Sequence, residues 1–262
     1  MKTIRCGRGL GDSLYLQSVV RHLIETGVHR RMRVRSDYPD VFRPLADRVE
    51  VTPFNRNVDI VAHYSARKGR AGTTQFEDCC QAAGIVGPVD LRLDWGVSDA
   101  SLMVKYLIHT AGRPLVLVQL PRSPMGRTDG FGAELLPDCR SIQLAIDVLR
   151  ERALIVQVGA GEPLYRFTGI DIDLSNQTTV AQLLDVASAA DGFLGYCSFM
   201  LPLAESFNKP AIMVWSQRGL RAGHPYVRQI TPLKVIHKPA TTIAVMDDDK
   251  DGIRKAAYDF LR

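Results

Sequence analysis

The chain has 262 residues, of which 46% are hydrophobic and 23% charged, a composition typical of a globular protein with one large domain or two smaller ones. Its 33 basic and 28 acidic residues give a net charge of +5, which favours an anionic ligand or partner without naming one. The sequence has no apolar run of the roughly 18 to 20 residues that a membrane-spanning helix needs, and it begins without a signal-peptide pattern, so we expect a cytoplasmic protein.

Apolar runs rich in β-branched residues alternate with amphipathic helical patterns. This alternation indicates parallel sheets joined by crossover helices, and therefore an α/β fold. In the first half we predict strands at residues 4–6, 32–35, 49–52, 58–62 and 89–93, and helices at 13–26, 41–46, 76–83 and 100–110. In the second half we predict strands at 115–120, 154–158, 192–195 and 211–215, and helices at 141–151, 180–190, 199–207 and 249–261.

The pattern restarts after Gly112-Arg113-Pro114. Glycine and proline end a helix at this point, immediately before a buried-type strand. We therefore predict two α/β domains, residues 1–112 and 113–262. Five cysteines form neither a Cys-x-x-Cys pair nor an even set, so we expect reduced thiols.

Ligands of open parallel sheets bind beyond the carboxyl ends of the strands. Two such edges that face each other would form a cleft between the domains. The rule selects the residues that follow seven predicted strands, namely 7–12, 36–38, 63–64, 121–123, 159–161, 196–198 and 216–218.

The segment GRGLGDSLYL follows the first predicted strand. Its glycines let the backbone approach a ligand closely, and Asp12 stands where the N-cap of the next helix is expected. The segment is not a dinucleotide fingerprint, because Asp12 replaces the third glycine, and it lacks the Lys-Ser/Thr of a P-loop. Asp12 can therefore be a helix cap, a catalytic acid or both.

The segment GFLGYCSFMLPLAESFNKPAIMVW has a second strand, turn and helix. Its strand ends at Gly195, and backbone N–H groups near Ser198 at the helix start would suit a diphosphate. Glu205 lies two turns into the helix, which Asn208-Lys209-Pro210 ends. Core packing is the alternative role of this helix.

Together the two segments resemble glycosyltransferase family 9, which contains the ADP-heptose:lipopolysaccharide heptosyltransferases. The family's Gly-Asp before an apolar helix is similar to Gly11-Asp12-Ser13-Leu14, and its Gly-x-Asp-Ser-Gly turn, helix and Lys-Pro are similar to residues 195–210. The polar residues 176–183 are similar to the family's lead into the preceding helix. The resemblance implies the GT-B fold, in which two Rossmann-like domains face each other, with Asp12 as the general base toward an acceptor hydroxyl.

Three residues depart from the family pattern. Cys197, Phe199 and Pro202 stand where the family has aspartate, glycine and histidine, so the donor pocket differs from that of the family. The element from Pro202 to Glu205 resembles the Pro-x-x-Glu of other GT-B enzymes, which implies a glutamate that binds the ribose of a nucleotide sugar. A compact, arginine-rich member of this kind suggests a phage or accessory enzyme.

The resulting hypothesis is sugar transfer from a nucleoside-diphosphate sugar to a hydroxyl, without a metal ion or a cofactor. Such a reaction needs a base at the acceptor and positive charge at the leaving diphosphate. The predicted catalytic residues are Asp12 and His63. The predicted donor-binding residues are Arg122, Arg127, Gly159, Gly161, Gly195, Cys197, Ser198, Glu205 and Arg218. The predicted acceptor-binding residues are Gly9, Gly11, Ser13, Asp37 and Tyr38.

The expected partners are the nucleotide sugar and an anionic acceptor, either a glycolipid or modified DNA, which the basic residues 67–70 could contact. One alternative is a phage transferase whose acceptor is a hydroxymethylpyrimidine base of DNA. Another is a nucleotide- or nucleic-acid-binding module that keeps the fold without turnover. Binding to DNA would weaken steeply with salt, which separates the DNA-modifying transferase from an enzyme with a lipid acceptor.

Overall fold

The computed structural model describes residues 1–64, 73–96, 112–122, 135–217 and 231–260. Within these residues the chain forms two sheets whose neighbouring strands are all parallel. The first sheet contains β1 (Lys2–Arg5), β2 (Met32–Arg35), β3 (Val49–Thr52) and β4 (Ile60–Val61), in the spatial order β3-β2-β1-β4.

The second sheet has six strands in the spatial order β10-β9-β8-β5-β6-β7. They are β5 (Leu115–Gln119), β6 (Leu154–Val158), β7 (Ile172–Asp173), β8 (Gly192–Gly195), β9 (Ala211–Trp215) and β10 (Thr242–Met246). The helices are α1 (Leu10–Glu25), a 3-10 helix (Pro39–Leu45), α2 (Gln75–Ala82), α3 (Cys139–Leu149), α4 (Val180–Ala189), α5 (Met200–Ser206), α6 (Pro232–Val235) and α7 (Lys250–Asp259). None of these helices is long and apolar enough to cross a membrane.

The two sheets differ in how their strands are buried. In β1 and β2 the apolar Ile4, Met32 and Val34 are buried and alternate with more exposed arginines, as expected of a sheet with one apolar face. Every residue of β5, β6, β8 and β9 is buried, which is typical of parallel strands covered on both faces. The second sheet is therefore the more deeply buried of the two sheets.

Helices α1 and α5 pack directly against each other and join the two halves of the molecule. Leu14 and Leu16 of α1 belong to the same buried apolar cluster as Met200 and Leu203 of α5. A Cβ atom on Gly11 would lie 3.1 Å from Pro202 Cγ, so the glycine permits this close approach. The helix starts that follow β1 and β8 consequently lie side by side.

The predicted strand at residues 89–93 is wrong. This extended segment pairs with no described strand and lies instead across α1 and α5, where the Arg92 N–H donates to Ser18 Oγ (3.1 Å) and the Leu93 N–H to the Ser206 carbonyl (3.0 Å). Its Val89, Leu91 and Leu93 are buried, while the two residues between them, 90 and 92, are exposed. The alternation that predicted a strand thus arises from an extended chain lying on helices.

Sequence patterns also missed β7, β10 and the short α6. The predicted helix 100–110 lies outside the described residues. Most other elements confirm the predictions to within a few residues. The last helix begins after Asp249, which accepts the Gly252 N–H (2.9 Å).

Candidate active site

A cavity of about 420 Å³ lies between the carboxyl ends of the two sheets. Residues after β1, β2 and β4 line one side, and residues after β5, β6 and β8 line the other. The predicted site residues that line it are Gly9, Gly11, Asp12, Tyr38, Arg122, Gly159, Cys197 and Ser198. The rule that ligands bind beyond strand ends therefore selected residues that the fold brings together.

Other predicted residues lie apart from the cavity lining or outside the described residues. Outside the described residues lie Arg127, Arg218 and the basic residues 67–70. His63, Ser13, Asp37, Gly161, Gly195 and Glu205 are described but are not among the lining residues.

Asp12 is not the N-cap of α1, contrary to the prediction. The helix begins at Leu10, Gly9 is its N-cap, and Asp12 is the third helical residue. The Gly9 backbone is extended and its N–H donates to Asp12 Oδ2 (3.0 Å), so the aspartate caps the helix from inside its first turn. A Cβ atom on Gly7 would lie 2.3 Å from Oδ2, and the missing side chain is therefore what makes room for the carboxylate.

The second carboxylate oxygen of Asp12 faces two other functional groups. Oδ1 lies 3.7 Å from His63 Nε2 and 3.9 Å from Cys6 Sγ. Burial raises the pKa of the Asp12 carboxyl, and the nearby His63 opposes this shift. Burial lowers the pKa of His63, whose ring stacks on Tyr64 with centroids 4.1 Å apart. The pair thus joins a carboxylate of increased basicity to an imidazole that favours its neutral form.

The opposite wall carries Arg122, which is the one positively charged side chain among the described residues that line the cavity. The Tyr196 hydroxyl accepts the Arg122 N–H (3.0 Å) and reaches the Arg122 carbonyl at 2.8 Å, so it holds the loop after β5. The guanidinium donates to the Ala160 carbonyl (2.6 Å) in the loop after β6. The arginine is exposed and connects two loops at the sheet edge, where positive charge can meet a bound anion.

Two glycines after β6 have backbone conformations that other residues rarely adopt. Gly159 has φ +138°, and its Cβ would lie 2.8 Å from Leu120 Cβ. Gly161 has φ +105°, and its N–H donates to Asn176 Oδ1 (2.6 Å). These positions shape the loop beside Arg122 and leave Gly159 in the cavity wall.

The turn between β8 and α5 contributes Cys197 and Ser198 to the cavity. Burial raises the pKa of the Cys197 thiol to about 12, so the thiol is neutral where the resemblance expects a carboxylate. Gly195, at the end of β8, is buried, and its Cβ would lie 3.1 Å from both Gln119 Oε1 and Met200 Cβ. Gly195 therefore allows tight packing beneath the turn.

Glu205 is fully buried, and its carboxylate contacts backbone rather than the cavity. Oε1 accepts the N–H groups of His237 (2.9 Å) and Lys238 (2.8 Å). Burial raises the pKa of Glu205 to about 7, although these hydrogen bonds favour the charged form. The predicted contact with a ribose stays a prediction, and here the side chain ties α5 to the segment after α6.

Two predicted acceptor-binding residues have partners of their own. Ser13 is buried, with its Oγ 2.9 Å from Ser36 Oγ. Asp37 Oδ2 accepts from Arg8 Nε (3.0 Å) and Nη2 (2.9 Å), and these hydrogen bonds lower the pKa of Asp37. Ser13 and Asp37 thus support the rim from outside the cavity.

Several lining residues were missed in the sequence. Tyr15 lies three residues after Asp12 on α1, a spacing that places both on one helix face and could have revealed it. Thr179 caps α4 by accepting the Gln182 N–H (3.2 Å), and it also lines the cavity. Cys6 and Cys79 are buried and are not lining residues, and their contact, with sulfur atoms 3.9 Å apart, gave no signal because 73 positions separate them in sequence.

Comparison with known proteins adds evidence on the fold. No protein-family model matches the sequence, and no curated protein is significantly similar to it. Solved glycosyltransferase structures are similar in fold. A glycosyltransferase family 9 protein of Veillonella parvula matches with a TM-score of 0.63 at 10% identity, over 100% of this chain and 90% of that one.

Two Escherichia coli proteins give comparable values. ADP-heptose LPS heptosyltransferase II has a TM-score of 0.58 and 14% identity over 94% of this chain and 90% of its own. The dodecameric iron-containing heptosyltransferase TibC, solved in complex with ADP-D-beta-D-heptose, has a TM-score of 0.58 and 12% identity over 92% of this chain. This chain spans 61% of the length of TibC.

The chain has the GT-B fold of these glycosyltransferases. The predicted α/β architecture with parallel sheets is thereby confirmed. At these identities the likeness concerns the fold alone.

Proposed function

We propose that this protein is a glycosyltransferase that moves a sugar from a nucleoside-diphosphate sugar to an acceptor hydroxyl. The observation that carries the proposal is the position of Asp12, which faces a cavity whose opposite wall carries Arg122 and the starts of α4 and α5. A base and an anion-binding wall across one cavity are what such a transfer requires.

Asp12 is the proposed general base. Oδ2 is held by the Gly9 N–H, which leaves Oδ1 to take the proton of the acceptor hydroxyl. Burial raises the pKa of Asp12 and so makes it a stronger base than an exposed aspartate. His63 Nε2 lies 3.7 Å from Oδ1, and we propose that its neutral imidazole assists as a second proton acceptor.

The donor diphosphate is proposed to bind against the wall formed by the second sheet. Arg122 supplies a positive charge, and the starts of α4 and α5 present backbone N–H groups near Thr179 and Ser198. Together these groups neutralise the leaving diphosphate without a metal ion. A nucleotide sugar as donor agrees with the ADP-heptose complex of TibC, whose fold is similar.

We propose that residues 1–112 carry the acceptor side and residues 113–262 the donor side of the cavity. The backbone at Gly9 and Gly11 and the Tyr38 ring line the first side, next to Asp12. This arrangement directs an acceptor hydroxyl toward Oδ1 from the edge of the first sheet.

A thermal-shift panel of nucleoside diphosphates and nucleotide sugars tests the donor. A ligand at 100 times its dissociation constant stabilises the folded state by about 2.7 kcal/mol. We expect stabilisation by at least one nucleotide sugar, and we expect it to be lost in Arg122→Ala but kept in the control Arg140→Ala, which lies outside this cavity. Stabilisation by none of them would contradict the donor assignment.

Transfer itself is measured as release of the nucleoside diphosphate when acceptor preparations are added. Glycolipid and hydroxymethylated DNA are tested in parallel at low and high salt, because binding to DNA weakens steeply as salt rises. Nucleotide-sugar binding without any release would instead favour a binding module, a role that the departures at Cys197 and Phe199 would then explain.

A further inference from the structure

Three side chains with metal-binding atoms meet beside the cavity. One ligand atom from each of Cys6, Asp12 and His63 lies within 4.8 Å of the other two. The Cys6-Asp12 and His63-Asp12 separations are 3.9 and 3.7 Å. The ligand atoms of a tetrahedral zinc ion lie about 3.3 to 3.8 Å apart at the usual bond lengths. The two separations from Asp12 are within a few tenths of an ångström of this range, and the Cys6 and His63 side chains, which lie within 4.8 Å of each other, would close by up to about 1 Å.

We propose that Cys6, Asp12 and His63 form a binding site for zinc or a zinc-like divalent cation. A thiolate, an imidazole and a carboxylate are the ligand types that zinc combines, whereas magnesium and calcium select oxygen ligands alone. Three protein ligands leave a fourth position for water.

The surroundings of the three residues support the assignment. The Gly9 N–H donates to Asp12 Oδ2, and the ring of Tyr64 stacks on His63. Each of these two ligands is therefore held in orientation by a neighbouring group that does not bind the ion. Cys6 is fully buried, while the side chains of Asp12 and His63 are 17% and 18% exposed, which lets an ion enter from the cavity side.

Charge also balances at this site. When the ion binds, the Cys6 thiol loses its proton to solvent, and the thiolate and the Asp12 carboxylate together neutralise a doubly charged cation. Neutral His63 contributes the lone pair of Nε2. The Arg5 guanidinium, which donates to the Cys6 carbonyl (3.1 Å), is the nearby positive charge that opposes binding.

Zinc at this site would occupy Asp12 Oδ1, the atom that the proposed base uses. Bound zinc therefore inhibits sugar transfer, because it competes with the acceptor proton for Asp12 Oδ1. This inhibition rests on the proposed function. Zinc binding itself does not depend on that function.

Metal binding is measured first, without any substrate, by calorimetric titration of the full chain with zinc and by the thiolate-to-cobalt absorption of the cobalt-loaded protein. We expect one ion per chain, with Cys6→Ser abolishing the thiolate absorption and weakening zinc at least about 10-fold. Cys139→Ser, on the distant α3, is the matched control and should bind like the unmodified protein. Circular dichroism confirms that each variant is folded.

No zinc binding by the folded chain, or equal weakening by Cys139→Ser, would overturn the site. The activity arm compares transfer with and without zinc, and a chelator should restore the rate. Absence of zinc binding by the unmodified protein refutes this inference and leaves the glycosyltransferase proposal intact. Zinc binding by a protein that transfers no sugar even in the presence of the chelator would contradict the glycosyltransferase proposal and leave the zinc site intact.

Discussion

Two strand-turn-helix segments, β1 to α1 and β8 to α5, lie side by side and place an acidic residue in very different surroundings. Asp12 is the third residue of α1 and lines the cavity. Glu205, on the second turn of α5, is fully buried and bound to the backbone of residues 237 and 238. The two segments are similar in construction, yet only one of the two acids lines the cavity.

The difference follows from the position of each acid along its helix. A residue in the first turn of a helix at the carboxyl edge of a sheet lies at the cavity, because the helix runs away from that edge. A residue one turn later lies beside the neighbouring elements, where its carboxylate has to find partners in the protein. An acid near a helix start is therefore the stronger candidate for chemistry.

The largest expected effect concerns Asp12, the member of the pair that lines the cavity. Asp12→Asn keeps an oxygen for the Gly9 N–H but removes the proposed base, so we expect kcat to fall by about 10²- to 10⁴-fold. Nucleotide-sugar binding and thermal stability should change little. Full turnover in the folded variant, measured by release of the diphosphate, would make Asp12 a structural residue like Glu205.

The buried carboxyl group of Glu205 should instead change the free energy of unfolding, by an amount that depends on pH. The pKa of Glu205 is about 7 in the folded protein against 4.5 as its ordinary value, so between these values the folded state holds a proton that the unfolded state has lost. Stability therefore decreases as pH rises through this window, by about 3 kcal/mol in total.

Urea unfolding of the unmodified protein and of Glu205→Gln at pH values from 4.5 to 8 measures this contribution. We expect the unmodified protein to lose about 3 kcal/mol relative to the variant across the range, since glutamine does not titrate. A difference independent of pH would show that the two backbone N–H groups keep the carboxylate charged throughout.

Gly7→Ala tests whether the position of Asp12 matters as well as its charge. The new Cβ would overlap Oδ2 and push the carboxylate from its place, while the fold can accommodate the moved side chain. We expect kcat to fall by roughly 10- to 100-fold, the effect of misplacing a reacting group by about 1 Å. Gly96→Ala, whose Cβ would meet nothing within 4 Å, is the control and should leave the rate unchanged.

The smallest expected effect lies at the contact between the two segments. Gly11→Ala adds a Cβ 3.1 Å from Pro202 Cγ and 3.4 Å from Phe199 Cα, and we expect a net loss of about 1 kcal/mol despite the better helix propensity of alanine. Chemical unfolding measures it. In a Pro202→Ala background the same change should no longer destabilise, and equal losses in both backgrounds would mean that the helices do not meet at this point.

The sequence alone determined most of the local structure and the sheet edges at which the cavity lies. The strands at residues 32–35, 49–52, 154–158, 192–195 and 211–215 have the predicted bounds, because runs of β-branched and apolar residues are local signals that parallel sheets require. The parallel arrangement then makes strand ends converge, and this is why the sequence by itself could assign Tyr38, Arg122 and Ser198 to the wall of one cavity.

Tertiary structure alone decided which groups share an environment. Residues 89–93 have the alternation of a strand, yet they lie on two helices, because alternation records exposure and not hydrogen-bond partners. The orientation of Glu205 toward the backbone of residues 237 and 238, and the meeting of Cys6, Asp12 and His63, depend on contacts between positions far apart in sequence. Local patterns carry no record of such contacts, since they arise only when the packed helices and sheets bring these side chains together.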